Sequence, residues 1–252
     1  MTGRTDTRYS ATVRLGTAGV AAALLRCSFT SKAGSVRFYL LTTSLAGVWA
    51  GGALGAGPVP WRGEGCSNRL GSTARGLIIG PVVSGAATFA LFYGAARAVR
   101  RYRSLRRVIG AVLRYADAGA SPLVVLIASG SGVAEEMFFR GALWSGPRPL
   151  RSTTLAYAAS TAATGNPALV LAGLITSVIF GWQRAVTGGV LAPALAHVTW
   201  SVLMLRYLPP LFRDVNQALD PAERLGRGGV RQSIRRASCR TSDAAQEDIP
   251  LC

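Results

Sequence analysis

The chain has 252 residues, half of them apolar and 15% charged, with a mean hydropathy of +0.32. Its apolar residues come in long runs instead of alternating stripes, which excludes an ordinary soluble domain and describes one multi-spanning membrane domain with polar ends. The net charge of +17, from 28 Lys and Arg against 11 Asp and Glu, flanks those runs without interleaving aromatics, so nucleic acid is not an expected partner.

In chain order, residues 1–36 read as a basic N-terminal segment. Its small-residue run at 11–28, interrupted by Arg14 and Arg26, fits an interfacial helix or a weak first span. No clear A-x-A site follows it, which leaves a cleaved signal peptide with little support. A membrane bundle is expected over residues 37–212, because a span needs about twenty mostly apolar residues and several stretches approach that length. The expected crossings are 38–57, 76–96, 122–144, 153–164, 167–182 and 188–208. Those at 153–164 and 167–182 are short, and helices of that kind can be buried inside a bundle instead of meeting lipid.

Seven arginines crowd the run from Arg97 to Arg114. Such a juxtamembrane cluster belongs on the cytoplasmic side. That choice makes the Gly/Pro-rich loop 58–75 external, despite Arg62, Arg69 and Arg75, and returns both termini to the cytoplasm of a cell-membrane protein. Residues 213–252 have few large apolar side chains and mixed charge, and read as a basic, mostly disordered cytoplasmic tail. The cysteines, Cys27, Cys66, Cys239 and Cys252, show no CxxC spacing, so neither a disulfide framework nor a zinc knuckle is indicated.

Within the apolar segments only Glu135 and Glu136 are acidic. An ionisable group inside membrane-like sequence is expensive and marks a functional site by default. Arg140 stands four residues after Glu136, on the same helical face, while Glu135 lies about 100° round the axis. This geometry divides the two carboxylates: Glu136 is held by Arg140, and Glu135 is left to project into a cavity and exchange protons as a general base or acid would. The competing structural reading is an internal ion pair that locks two helices together. His197, the sole histidine, has Ser201 four positions on and facing the same way. Together they offer hydrogen-bond donors to a developing oxyanion.

These motifs resemble the CPBP, or Abi, intramembrane proteases, which include the CAAX prenyl endopeptidases. The resemblance rests on A-EExxxR-G at 134–141 and on the TGGVLAPALAH run that ends at His197, and its motif-bearing part spans 122–207. It implies an all-α, multi-pass transmembrane helix bundle that gathers catalytic groups from several helices. Residue by residue, it makes Glu135 the carboxylate that activates water, with Glu136 and Arg140 as its supporting pair. His197, helped by Ser201, would polarise the scissile carbonyl of a peptide or membrane-protein substrate, lipidated or otherwise held at the bilayer.

The chain departs from the family pattern twice. The FxxxH motif falls on Tyr157 to Thr161 or, in another register, on Phe180 to Arg184, and in neither does a histidine close it. The last motif, HxxxN, ends on Ser201. No cofactor is required by these residues. A zinc, which some accounts of the family invoke, would have Glu135 and His197 as ligands, a sparse set for that metal. The departures keep two other functions open: a non-cleaving scaffold or immunity protein that binds a peptide in the same cavity, and a small transporter with Glu135 as its proton relay. A transporter would need paired half-helices, and no such signature is present.

Overall fold

The computed structural model describes residues 3–63, 74–117 and 122–212. The expected tail, 213–252, lies outside the described residues. Eight α-helices make up nearly all of the described chain, and no strand occurs among the described residues. They are α1 (Gly3–Thr30), α2 (Val36–Gly55), α3 (Ala74–Val99), α4 (Arg103–Asp117), α5 (Pro122–Glu136), α6 (Pro149–Ala162), α7 (Pro167–Thr187) and α8 (Leu191–Tyr207). A π-helical turn, Met137–Ala142, continues α5, and a 3-10 turn, Pro209–Phe212, follows α8.

Four segments are long and apolar enough to cross a membrane: Val36–Gly55, Gly76–Val99, Pro122–Ala142 and Pro167–Thr187. The other two expected crossings are shorter. α6 has 14 residues and α8 has 17. At about 1.5 Å per residue they rise roughly 21 and 26 Å, less than a hydrocarbon core of about 30 Å. Four of the six expected crossings thus have full span length, and α6 and α8 are the short ones. Both nevertheless run between the two ends of the bundle: Asn166, after α6, donates to the Val108 carbonyl of α4, and Leu208, after α8, packs with Leu113.

α1 does not stand apart from the bundle. It packs on α2, where Ala21 is fully buried beside Leu45, Trp49 and Ala53. Small residues permit this approach: a side chain at Gly52 would occupy the space of Thr17. α2 in turn packs on α5, α5 on α8, α8 on α3, and α6 on α7. Trp49 stacks on Phe138 and Phe139 at 4.7 and 4.9 Å, which ties α2 to the segment carrying the acid pair.

The arginine-rich run leaves α3 and turns into α4, an amphipathic helix. Leu113 and Tyr115 are buried, with Leu113 in one cluster with Leu208 and Phe212, while Arg103, Arg107 and Arg114 are exposed. The Tyr115 hydroxyl donates to the carbonyls of Phe29 and Ser31, pinning α4 against the end of α1.

Candidate active site

The acid pair sits where α5 passes into the π-helical turn. The Leu143 N–H donates to the Phe138 carbonyl, five residues back, at 2.9 Å. Such turns arise where one extra residue is fitted into a helix, and they recur at functional sites. Glu136, Arg140, Phe138 and Phe139 are all essentially inaccessible, whereas Glu135 is half-buried.

Arg140 is the hub of the buried side. Its Nη1 donates to Glu136 Oε1 at 3.2 Å, and its Nη2 donates to Ser177 Oγ on α7 at 3.0 Å. Nε lies 3.2 Å from Glu136 Oε2 as an ion contact, at an angle too poor for a hydrogen bond. The Arg140 carbonyl accepts from Arg184 Nε at 2.8 Å. The i,i+4 pairing expected from sequence is present, and α7 completes it.

His197 joins from α8. Its Nδ1 lies 2.8 Å from Glu136 Oε1. Because an ionised carboxylate only accepts, Nδ1 is assigned the proton and Nε2 is left as the other functional nitrogen. The ring lies between Phe180 and Trp200, at centroid distances of 5.2 and 5.7 Å. Gly132 on α5 makes room for it: a Cβ there would lie 3.1 Å from His197 Cδ2. Ser201 is buried one turn further along α8, with no hydrogen bond among the described residues.

Glu135 faces a different partner. Tyr157 on α6 donates its hydroxyl to Glu135 Oε2 at 2.6 Å. The carboxylate also lies within Coulombic reach of His197, Glu136 and Arg140. The five expected residues thus divide: Glu136, Arg140 and His197 form one buried network, Glu135 sits beside it on Tyr157, and Ser201 stands one turn away.

Both registers of the second motif can be placed. Thr161 Oγ1 donates to the carbonyls of Tyr157 and Ala158 on its own helix, so its hydroxyl is already used. Phe180 and Arg184 of the other register line the His197 and Arg140 side. Tyr157, Ser177 and the structural use of Arg184 were missed by sequence reasoning. For Tyr157 the available signal was a hydroxyl-bearing ring where the family pattern has Phe.

The TGG turn has a steric basis. Gly188 caps α7 with φ +70°, a conformation that glycine adopts without penalty. Residues 60–63 run directly over it: the Pro60 and Trp61 carbonyls accept from the N–H groups of Val190 and Leu191 at 2.9 and 3.1 Å. A side chain at Gly189 would collide with Trp61 and Arg62. This clasp starts α8 in the register that carries His197 to Glu136. Pro193 in the first turn forfeits no helical hydrogen bond, which suits the APxxAH sequence.

Residues 117–203 match the family described as Type II CAAX prenyl endopeptidase Rce1-like. The match covers about a third of the chain and contains every residue of the site except those of the loop 58–63. No curated protein and no solved structure matches the chain. The Rce1-like segment agrees with the CPBP resemblance drawn from the motifs, and it supports an intramembrane protease role at the level of the family.

The residues present do not fit a zinc ion. Among the described residues no group of three or more His, Cys, Asp or Glu is placed to hold a metal. Glu136 already occupies His197 Nδ1, and Glu135 with His197 Nε2 would supply two donors where zinc takes three or four from the protein.

Proposed function

We propose that this protein is an intramembrane endopeptidase that hydrolyses a peptide bond of a membrane-associated or lipidated polypeptide, using water activated by Glu135. The observation that carries this reading is the juxtaposition of a half-buried carboxylate with a buried, carboxylate-oriented histidine inside an Rce1-like segment. Glu135 takes a proton from water as the water oxygen bonds to the scissile carbonyl carbon. It returns that proton to the amine nitrogen as the C–N bond breaks.

Glu136 and Arg140 act as positioning residues. They fix the tautomer and the ring plane of His197, much as a carboxylate orients histidine in other hydrolases. With Nε2 also protonated, His197 donates to the carbonyl oxygen and holds the oxyanion, and Ser201 lies one turn away as a second donor. The arginine cluster from Arg97 to Arg114 supports a cytoplasmic place for α4. α1, which ends against Tyr115 of α4 and has Val13 beside Gly55 at the far end of α2, then begins on the opposite side, contrary to the expectation of both termini in the cytoplasm.

A second reading, a peptide-binding scaffold that does not cut, is favoured by one observation. Thr161 stands at the second-motif position and spends its hydroxyl on its own helix. Purified protein in liposomes with membrane-anchored peptides separates the two. The protease reading expects cleavage by the parent and a loss of at least about 100-fold in Glu135→Ala and His197→Ala. Peptide retained by parent and variants alike, with none cleaved, supports the scaffold.

A further inference from the structure

Tyr157 is held more firmly than packing alone requires. Its ring stands edge-on to Phe139 at 4.8 Å and under the Arg140 guanidinium at 5.2 Å. α7 closes the third side, where a Cβ on Gly173 would lie 3.0 Å from Tyr157 Cε1. The ring is 9% exposed, and the single proton of its hydroxyl goes to Glu135 Oε2. A phenol keeps that proton near neutral pH, so Tyr157 is a donor and not a base.

We infer that Tyr157 is the positioning residue of the Glu135 carboxylate, fixing Oε2 so that Oε1 is the oxygen presented to water. This rests on the protease reading above. Three features support it. The 2.6 Å separation is within the range of a hydrogen bond to an ionised oxygen, the stronger kind. Arg140 touches both halves of the site, donating to Glu136 Oε1 at 3.2 Å and lying 5.2 Å from the centre of the Tyr157 ring, so one cation links the two carboxylates' surroundings. No other side chain donates to Glu135 among the described residues, because Thr161 is committed to its own helix and Arg140 to Glu136 and Ser177. A carboxylate with one oxygen tied is already oriented for proton transfer, and the order it would otherwise acquire in the transition state is present beforehand.

Tyr157→Phe removes only the hydroxyl and keeps the ring against Phe139, Gly173 and Arg140. In liposomes with an anchored peptide that the parent cleaves, the inference expects kcat to fall about tenfold to a hundredfold, the worth of one hydrogen bond to a charged group, with KM unchanged. In the same preparation, the infrared carboxyl band that disappears in Glu135→Gln shifts in Tyr157→Phe. Parent-like kcat with a parent-like band overturns the inference and leaves the protease reading standing. A shifted band with parent-like kcat also overturns it, since the hydrogen bond is then structural only. Should Tyr157→Phe lose thermal stability, site-specific 3-fluorotyrosine at 157 keeps the fold and alters only the donor, and an unaltered pH profile of kcat in that protein overturns the inference. A parent that cleaves no peptide removes the protease reading and this inference together.

Discussion

Arg140 and Glu136 are charges placed where neither meets water, and that is stable only because each has several partners. Removing one member of a buried pair leaves the other uncompensated, at a cost of about 3–5 kcal/mol. Arg140→Ala should therefore lower the melting temperature in nanodiscs well beyond the effect of Arg103→Ala on the exposed face of α4. Equal, small shifts would show that the network is not structural. Sequence reasoning reached the Glu136–Arg140 pair because helical spacing brings residues four apart together. It linked His197 to Ser201 by the same rule, whereas the partner of His197 is Glu136, 61 positions earlier and on another helix. Periodicity reports neighbours along a helix and says nothing of neighbours across the bundle. Tyr157 escaped notice for that reason, and because the motif comparison weighed it only as a stand-in for Phe.

Between elements, the site has three close approaches at glycines: Gly132 beside His197 and Gly173 beside Tyr157, where a Cβ would crowd the ring, and Gly188 under residue 63, where it would collide with backbone. Gly188→Ala adds a left-handed conformation for a non-glycine residue, about 1–3 kcal/mol, and a Cβ that meets the Gly63 backbone. It should lower thermal stability and, by shifting the start of α8, reduce cleavage more than binding of the peptide. Unchanged kcat with reduced stability would disconnect the turn from the register of His197. The apolar run made the acid-bearing segment legible, and the resemblance to the CPBP proteases made the TGG turn so. The π-helical turn was not legible, since an inserted residue leaves no trace in an apolar run. The shortness of α6 was legible, whereas 167–182, expected to be short, extends to Thr187 as a full-length span, and α8 falls short of one because apolar composition runs on into its turns.

At the scale of the whole molecule, the all-helical membrane bundle was legible from composition, and the Rce1-like match over 117–203 agrees with it. The first helix was harder to read, since arginines interrupt its small-residue run while its other face fills the core with Ala21. The arginine cluster predicts sidedness. With the native cysteines replaced and one introduced at the exposed Arg101, an impermeant maleimide should label inverted vesicles and spare intact cells. Labelling of intact cells would reverse the orientation.

The claim beneath all of this is that Glu135 activates water for attack on a peptide bond. Cleavage of a membrane-anchored peptide by the reconstituted protein in 18O-enriched water, followed by mass spectrometry, tests it most directly. The account predicts products whose new carboxylate carries one 18O, formed by the parent and lost in Glu135→Gln. No product from the parent, or the same labelled product at the same rate from Glu135→Gln, would contradict it.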